Sequence, residues 1–388
     1  MIYLDNAATT AAFPEVARVV QKYMCSEYGN PSSLHQLGVS AEMTLRKCAK
    51  IISKILNCDS RALVFTSGGT ESNNAAILNT TFIKSSKQLH FITCAAEHSS
   101  VLRCFEQLES FGHAVTYLPF DYRRGVDSAD VIAALRPNTA LVSIMMVNNE
   151  LGTINPIGDI VSALRQSDYS GLIHCDATQA VGKLDVDVAQ LGVDLLTASA
   201  HKFHGPKGVG LLVDKTAGKY KPLIVGGGQQ ANRRSGTENV PGIAGMAQAL
   251  TMAMQKRAES LAVMRYLSER LAKMAAEIGG ANVLLLSDYK AGAAHINALA
   301  VKGIKSEVLL HALETNGVVV SSGSACHSNT KKAISQVIQA IDLPPDYREG
   351  VIRISASHMT TRAQVERAVA IIESTIKDLI NTFGGTIE

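Results

Sequence analysis

The amino-acid sequence predicts an α/β protein with a large, doubly wound and mostly parallel sheet, followed by a smaller α+β unit. Short apolar runs bounded by Gly, Pro or Asn recur between residues 62 and 213, and the segments between them have helical periodicity. Continuous apolar runs are typical of strands that are buried on both faces of a parallel sheet. The alternation of such strands with helices predicts the doubly wound class.

A short N-terminal strand precedes the predicted elements of the large sheet. Residues 1–6 predict a strand that enters a turn. Seven further strands are predicted, because each apolar run is short and is bounded by turn-forming residues. They span residues 62–66, 88–94, 113–118, 140–147, 171–175, 195–198 and 209–213.

A long helix and a second, smaller set of elements complete the prediction. Residues 243–277 are rich in Ala, Met, Leu, Glu, Lys and Arg and lack proline, which predicts a helix that leaves the sheet. A strand at 293–301, a helix from Ser306, the apolar Val318 region, a strand at Val351–Ser355 and a helix from Thr361 follow. We predict a large domain at residues 13–255 and a small domain formed by residues 1–12 and 256–388.

The composition indicates a globular protein that acts on small molecules or other proteins. Hydrophobic residues make up 46% and charged residues 18% of the 388 positions, which is enough to bury a core. The formal net charge is only +3 and the basic residues are scattered, so we expect no nucleic-acid or membrane partner. No apolar segment approaches the roughly 20 residues that span a bilayer. We therefore expect a cytoplasmic protein.

The cysteines favour a reducing environment. There are seven, an odd number, and none forms a C-x-x-C pair, which argues against disulfides and structural zinc. We predict no metal site. Cys326 lies among small and polar residues directly after the apolar run at 317–320. By itself this stretch is compatible with an inert thiol in a turn or with a nucleophile on a loop.

A glycine-rich turn follows the first predicted strand of the large sheet. Residues 66–70 read Thr-Ser-Gly-Gly-Thr and precede a helical segment, so the first N–H groups of the helix would point at a bound anion. The stretch matches neither the P-loop nor the dinucleotide fingerprint. A phosphate cradle is one interpretation, and simple packing of a strand-to-helix turn is the other.

Two more candidates follow later strands. Asp176 comes at the carboxyl end of a predicted strand, where open α/β sheets bind ligands, although it would also suit a helix cap. Lys202 follows an apolar strand and precedes a Gly-Pro turn, and a desolvated lysine is suited to Schiff-base chemistry. Lys207 is expected to face solvent. A phosphate cradle, an acid and a lysine together fit pyridoxal 5′-phosphate.

The order of these motifs resembles that of the cysteine desulfurase family, the NifS/IscS-like branch of the class V aminotransferase group. This resemblance implies the type I fold of pyridoxal-phosphate-dependent transferases, with a large sheet domain and a smaller α+β domain. The matching motifs run almost from end to end: Tyr3-Leu-Asp-Asn-Ala-Ala-Thr-Thr10, Gly29-Asn-Pro-Ser-Ser33, Thr66-Ser-Gly-Gly-Thr-Glu-Ser-Asn73, Glu97-His98, Val147-Asn-Asn-Glu-Leu-Gly-Thr153, His174-Cys-Asp-Ala-Thr-Gln-Ala-Val-Gly-Lys183, Ser199-Ala-His-Lys202 and Arg234-Ser-Gly-Thr-Glu-Asn239.

The resemblance implies a role for each matching residue toward the cofactor. Lys202 would bind it covalently and move protons, Asp176 would pair with its ring nitrogen, and Gln179 would hydrogen-bond its phenolic oxygen. His98 would stack on the ring and transfer protons, while Asn149 would contact cofactor or substrate. The phosphate would be held by residues of both subunits of a homodimer, namely Gly69, Thr70, Ser199, His201 and the partner's Thr237.

Substrate binding is implied for two further residues. Arg353 would bind the substrate carboxylate, with help from Asn30, because a guanidinium fork fits a carboxylate. Taken singly, His98 and Arg353 would more often be ordinary polar residues. The matching order of the motifs favours the functional interpretation for both.

The implied activity is that of a cysteine desulfurase acting on L-cysteine. Cys326 would attack the substrate sulfur as a thiolate, leaving L-alanine and an enzyme persulfide for an acceptor protein in iron–sulfur cluster assembly or in tRNA or cofactor thiolation. His98 or His327 would supply the base that a thiolate requires. Two alternatives stay open: a selenocysteine lyase or another β-eliminating enzyme, in which Cys326 is dispensable, and a non-catalytic partner of sulfur-transfer proteins.

The sequence departs from the family beside these motifs. After Cys326 it reads His-Ser-Asn-Thr-Lys-Lys, Gln229-Gln-Ala-Asn-Arg233 replaces a Gln-Glu-Arg-Gly-like stretch, and Ala356-Ser-His358 stands where Leu-Gly-Arg is common. The implied catalytic residues are unchanged. The acceptor is therefore left open, and a specialised one is allowed.

Overall fold

The structure is a computed structural model that describes residues 1–83, 88–216, 221–279, 281–322 and 334–383. Cys326 and His327 lie outside the described residues. The strands are β1 (Ile2–Tyr3), β2 (Leu63–Thr66), β3 (His90–Cys94), β4 (Ala114–Leu118), β5 (Thr139–Ser143), β6 (Leu172–Asp176), β7 (Leu195–Ser199), β8 (Gly210–Asp214), β9 (Val283–Leu285), β10 (Ile296–Val301), β11 (Val318–Val319), β12 (Ser321–Ser322) and β13 (Val351–Ser355).

The helices surround the sheets. They are α1 (Pro14–Cys25), α2 (Gln36–Leu56), α3 (Gly69–Leu78), α4 (Thr80–Ile83), α5 (Ser99–Ser110), α6 (Ser128–Ala133), α7 (Ile157–Gln166), α8 (Val188–Leu191), α9 (Gln229–Asn232), α10 (Val240–Ile278), α11 (Ser306–Thr315), α12 (Gln336–Gln339), α13 (Pro345–Arg348) and α14 (Arg362–Phe383). The segment called α9 contains left-handed residues at Gln230 and Ala231. It is therefore a left-handed turn rather than a regular helix.

Seven strands form one sheet in the order β2-β8-β7-β6-β5-β3-β4. The pairs from β4 through β3, β5 and β6 to β7 are parallel, whereas β8 is antiparallel to both β7 and β2. The predicted large, mostly parallel sheet is confirmed. Each predicted strand is present, with ends that differ by a few residues.

Within the large sheet, the predicted and observed strands differ most at the end of β5. The sequence predicts a strand at 140–147, but the regular strand ends at Ser143. The chain nevertheless continues beside β6, because the N–H groups of Ile144 and Met146 donate to the carbonyl oxygens of His174 and Asp176. These residues remain buried, so their hydrophobicity reflects the core and a cavity wall rather than further strand.

The apolar strands are buried because helices cover both faces of this sheet. Phe91 and Leu141 pack into one hydrophobic cluster with Phe105 of α5. Their neighbours Ile92 and Val142 pack into the cluster on the other face. Since successive side chains of a strand point to opposite faces, a strand covered on both sides reads as a continuous apolar run.

Helix α10 connects two hydrophobic cores. It has 39 residues and is capped by Asn239, whose side chain accepts the N–H of Gly242. Its first half packs in the core of the large sheet, and its second half, which includes Met264 and Leu271, packs in a separate core. The prediction of a long helix leaving the sheet is confirmed, with three additional residues at the N-terminal end.

The second core lies against a four-stranded sheet in the order β12-β13-β10-β9. One face of β10, with Ile296 and Ala298, packs in the core of the large sheet, whereas Leu299 and Val301 on the other face pack in the second core. Strand β1 pairs in parallel with β11. The two faces of the small sheet therefore pack in different hydrophobic cores. The predicted domain boundaries, between residues 12 and 13 and between residues 255 and 256, stay a prediction.

Candidate active site

A cavity of about 270 Å³ lies where β6 and β7 end and α3 begins. Its wall contains ten of the residues that the sequence singles out, from six separate stretches of the chain. They are Gly69, Thr70, His98, Asn149, Asp176, Gln179, Ser199, His201, Lys202 and Arg353. The fold therefore brings together almost the whole predicted site, across more than 280 positions of sequence.

One end of the cavity is built to hold an anion. Helix α3 starts at Gly69, so its unpaired N–H groups and the positive end of its dipole face the cavity. The hydroxyl oxygens of Thr178 and Ser199 are buried beside this turn and have no hydrogen-bond partner among the described residues. A Cβ at Gly69 would lie 3.2 Å from Thr178 Oγ1 and 3.6 Å from Ser199 Cβ. Two unsatisfied hydroxyls at a helix N-terminus fit a phosphate group.

Asp176 is held in one orientation at the end of β6. Its Oδ2 accepts from Asn73 Nδ2 at 2.8 Å and its Oδ1 accepts from the N–H of Thr178 at 2.9 Å. Asn73 also donates to Ser100 Oγ at 2.9 Å. No role was predicted for Asn73 from the sequence. The signal was available, because residue 73 follows Gly69 by four positions and so lies on the same face of α3.

His174 lies behind Asp176 and stays neutral. Burial lowers its pKa to about 4 against the opposing effect of the Asp176 charge. The ring bridges the Ser143 hydroxyl at 2.8 Å and the Thr197 hydroxyl at 3.1 Å. These bonds tie β5, β6 and β7 together directly behind the carboxylate.

Lys202 follows β7 and points toward the N-terminal segment of the chain. Its Nζ donates to the carbonyl oxygens of Ala7 and Ala8, both at 2.7 Å. Gln179 Nε2 donates to the same Ala7 oxygen at 2.9 Å. The first motif of the chain thus forms one wall of the cavity, a role that the sequence did not predict for Ala7 or Ala8. Lys207 is exposed, as predicted.

His98 is positioned as the N-cap of α5. Its Nδ1 accepts the N–H of Ser100 at 3.1 Å and lies 2.8 Å from the Ser100 hydroxyl. Because Nδ1 accepts a hydrogen bond, the neutral ring carries its proton on Nε2. The cap therefore orients the ring in the cavity wall.

Arg353 lies in the middle of β13 and is only 5% exposed. Its guanidinium donates to the Asn149 carbonyl at 2.9 Å and to Asp5 Oδ1 at 2.8 Å. Its Nε and the Asn149 side-chain oxygen are buried without hydrogen-bond partners in the described ranges. The small sheet therefore contributes an unsatisfied cationic donor to the cavity, which suits a carboxylate ligand.

Two predicted residues lie outside this cavity. Asn30 is exposed, and its side-chain oxygen accepts the N–H of Ser32 at 2.9 Å. Thr237 is also exposed and lines a separate pocket with Arg234. Their roles stay predictions, and for Thr237 the predicted role belongs to a second subunit.

Three buried ionisable residues behind the cavity were missed. Burial raises the pKa of Glu97, helped by repulsion from Asp176, and burial raises the pKa of Glu150 to about 7. Burial and repulsion from Lys202 lower the pKa of Lys183 to about 7. All three belong to quoted motifs, and a charged residue within an apolar segment was a usable signal.

Neither a metal centre nor a membrane span is found in the described part of the chain. No group of three or more His, Cys, Asp or Glu side chains there is placed to hold a metal ion. The six described cysteines are free. No described helix is long and apolar enough to cross a bilayer.

The fold and the site define a cofactor enzyme of the class V aminotransferase type. The model of the aminotransferase class-V family matches residues 2–368, and the chain belongs to this family. Within it, the chain is 39% identical over 385 residues to "Cysteine desulfurase IscS" of Dictyoglomus turgidum, covering 97% of this chain and 95% of the relative. The resemblance to the NifS/IscS-like desulfurases is confirmed.

Solved structures agree with this assignment. A protein named "NIFS-LIKE PROTEIN" superposes with a TM-score of 0.90 at 31% identity, covering 97% of this chain and 99% of its own. A structure named "SspA in complex with cysteine" superposes with a TM-score of 0.78 at 31% identity, covering 93% of this chain and 100% of its own. The predicted fold class is confirmed by these neighbours.

Proposed function

We propose that this protein is a pyridoxal-phosphate-dependent cysteine desulfurase that converts L-cysteine to L-alanine and leaves a persulfide on Cys326. The observation that carries the proposal is the convergence of an anion end, an oriented carboxylate and a lysine in one cavity. The relative named cysteine desulfurase and the neighbour named as a complex with cysteine support the same substrate. Pyridoxal phosphate, when bound, supplies the electron sink that makes the substrate Cα proton acidic.

The chain's residues fit this cofactor in three places. The start of α3, with the hydroxyls of Thr178 and Ser199, would hold the phosphate. Asp176, held by Asn73, would face the ring nitrogen with a fixed carboxylate. Lys202 would provide the amine for covalent attachment, and the Ala7 and Ala8 carbonyls hold that amine at the cavity wall.

Proton transfer is assigned to Lys202 and His98. Both side chains line the same cavity, so either can exchange a proton with a substrate atom bound there. The cap contact of His98 leaves Nε2 as the protonated ring nitrogen. A neutral His98 would therefore donate a hydrogen bond from Nε2, and it would donate a proton only in its imidazolium form.

Arg353 is assigned to the substrate carboxylate. Its Nε is a buried donor without a partner among the described residues, so an incoming carboxylate satisfies it and gains a charge-assisted hydrogen bond. Asp5 and the Asn149 carbonyl fix the guanidinium before substrate arrives. A pre-oriented guanidinium loses less conformational entropy on binding.

The sulfur step rests on the sequence, because Cys326 lies outside the described residues. The Cys326 thiolate attacks the substrate sulfur, the Cβ–S bond breaks, and Cβ gains hydrogen to give alanine. The enzyme thiol is thereby oxidised to a persulfide. The sulfur-acceptor protein, the homodimer with the partner's Thr237, assistance from Asn30 and the cytoplasmic location belong to this proposal.

The decisive experiment measures alanine release and persulfide formation by the purified protein loaded with pyridoxal phosphate. Lys202→Ala should lose the covalently bound cofactor and all turnover. Cys326→Ser should lose alanine release, whereas Cys25→Ser, which removes an exposed cysteine, should retain it. Alanine release at the wild-type rate by Cys326→Ser would instead show that Cys326 is dispensable and that the persulfide step is wrong. A wild-type protein that takes up no cofactor would support the non-catalytic alternative.

A further inference from the structure

A buried cluster of one lysine and three histidines lies behind the cavity wall, and the proposed reaction does not use it. Its centre is Lys183, which is 5% exposed. Around it stand His204, His295 and His358, which follow β7, precede β10 and follow β13. The Lys183 charge contributes to lowering the pKa of each of these histidines. Four separate segments of the chain thus converge on one buried lysine.

The three histidines do not neutralise this lysine. Burial lowers the pKa of His204 to about 4 and that of His358 to about 3, so both rings are neutral at pH 7. Each of the three has a buried ring nitrogen without a hydrogen-bond partner in the described ranges. The rings of His204 and His358 meet edge to face with centroids 5.4 Å apart. The described side chains here are not placed to share a metal ion.

Lys183 also lacks an anionic partner among the described residues. Its Nζ contacts only Gln179, at 3.3 Å from Oε1 and 3.5 Å from the backbone oxygen. The remaining charged or titratable groups that face the cluster are Lys202, His201 and, near His358, Lys256. Burying an ammonium group without a carboxylate destabilises the folded protein, so we looked for a role of Lys183 in its contacts.

The contacts of Gln179 connect this lysine to the cavity. Lys183 is a pure donor, so its contact with Oε1 requires the Gln179 amide nitrogen to face the other way. That nitrogen donates to the Ala7 oxygen, which also accepts from Lys202. His295 is hydrogen-bonded to the Gln179 backbone from behind. Lys183 and His295 thus set the position and the orientation of a residue in the cavity wall.

We propose that Lys183 is a positioning residue of the active site with two effects. It orients the Gln179 amide, and its positive charge behind the cavity disfavours a second positive charge on the Lys202 nitrogen. The inference rests on the proposed function. Repulsion between two ammonium groups acts equally on both, so a charged Lys183 favours a neutral nitrogen at Lys202. A bound phosphate group favours the charged form of Lys183. We therefore expect Lys183 to influence protonation at Lys202 in the enzyme that has the cofactor bound.

The test compares wild-type protein with Lys183→Met and Lys207→Met. Both substitutions replace a lysine with an uncharged side chain. Lys207 is exposed, so solvent screens the electrostatic effect of its charge on the cavity. The readouts are the pH midpoint of the absorbance change of bound pyridoxal phosphate and the dissociation constant for the cofactor. Lys183→Met should raise the midpoint by about half a pH unit or more, because protonation at Lys202 becomes easier. It should also weaken cofactor binding about fivefold or more, since the Gln179 amide is no longer oriented.

Lys207→Met should leave both quantities unchanged. Lys183→Gln is a second variant: it retains a donor toward Gln179 without the charge, so it should shift the midpoint with little loss of affinity. A folded Lys183→Met protein with the wild-type midpoint would overturn the inference, and so would equal shifts in Lys183→Met and Lys207→Met. If wild-type protein binds no cofactor or releases no alanine from cysteine, the proposed function fails instead.

Discussion

At the scale of single residues, the orientation of Asp176 depends on a neighbour that takes no part in the proposed chemistry. Asn73 donates to Asp176 and to Ser100 from within α3. Its own side-chain oxygen is buried and unpartnered among the described residues. Asn73 therefore acts as a donor that links helix, carboxylate and the His98 cap into one network.

The first prediction concerns this donor. Asn73→Ala should weaken cofactor binding and lower kcat/KM for cysteine about tenfold, because a charge-assisted hydrogen bond to Asp176 is lost. The measurement is cofactor titration followed by alanine release. Asn74→Ala is the matched control, since Asn74 is the next residue of α3 and donates only to the Thr70 carbonyl. Equal losses in both variants would contradict a specific role for Asn73.

The second prediction concerns the pH dependence of the cofactor-free protein. The pKa of Lys183 falls from 10.5 to about 7 on folding, so between these values the unfolded chain binds more protons and stability rises with pH. Below pH 7 the buried charge of Lys183 lowers the free energy of unfolding by its full amount. This destabilisation disappears as the pH approaches 10.5. Lys183→Met should therefore melt at a higher temperature than wild type at pH 7, with a gap that narrows as pH increases.

Thermal unfolding across that pH range checks the second prediction. A variant that is less stable than wild type at pH 7, or a gap that does not change with pH, would contradict it. Together with the cofactor experiment, it separates two roles. If Lys183 were only structural, its substitution would make the protein less stable. If Lys183 is a positioning residue, its substitution lowers the cofactor affinity of the protein and makes the cofactor-free protein more stable.

At the scale of elements, the anion end of the cavity depends on close contacts between strands and turns. Gly210 of β8 pairs with Thr66 of β2 and with Ser199 of β7, directly beside the turn that starts α3. Strand β2 is at the edge of the sheet, and the Gln230 side chain covers that edge by accepting from the Phe65 N–H at 2.7 Å and donating to its carbonyl at 2.8 Å. A left-handed turn thus protects an exposed strand edge.

The third prediction concerns Gly210. A Cβ at this position would lie 2.5 Å from the carbonyl carbon of Gly68, so Gly210→Ala should push the turn before α3 out of place. We expect cofactor affinity to fall about tenfold or more and stability to fall by about 1–3 kcal/mol. Cofactor titration and denaturant unfolding measure the two effects.

Gly158→Ala is the control for Gly210→Ala. Gly158 lies in the first turn of α7, and nothing lies within 4 Å of a Cβ there. This substitution should be neutral or stabilise the protein by up to about 1 kcal/mol. Wild-type cofactor affinity in a folded Gly210→Ala protein would show that the turn tolerates displacement.

At the scale of the whole molecule, the cavity combines residues from both sheets. Asp176 and Lys202 follow strands of the large sheet, whereas Arg353 lies in the small sheet. The small sheet packs one face on the large core and the other on the second core. Because the two cores share this sheet and helix α10, we expect them to unfold together.

The fourth prediction tests that cooperativity. Leu309→Ala in α11 removes a fully buried side chain from the second core, which should destabilise the protein by about 2–5 kcal/mol. Calorimetry should show one transition at a lower temperature. Val308→Ala is the control, because Val308 is the residue before Leu309 and its side chain is 39% exposed. A separate early transition in Leu309→Ala would show instead that the second core unfolds by itself.

Much of this architecture could be predicted from local patterns. The strands of the large sheet read as apolar runs because both faces are covered, and α10 reads as a proline-free run of helix formers. Both signals depend only on neighbouring residues. The end of β5 was misplaced because Ile144 and Met146 remain buried beside β6 after the regular strand stops. Hydrophobicity reports burial, and it does not distinguish a strand from a buried loop.

The sequence by itself determined the class of fold, the family and ten residues of the cavity wall, because their motifs are local and keep their order along the chain. Only the tertiary structure decided which groups support them: Asn73 behind Asp176, Ala7 and Ala8 at Lys202, and Lys183 with its histidines behind Gln179. Except for the local contact between Lys183 and Gln179, these groups come from separate segments. Such contacts depend on distances across the fold, which spacing along the chain does not encode.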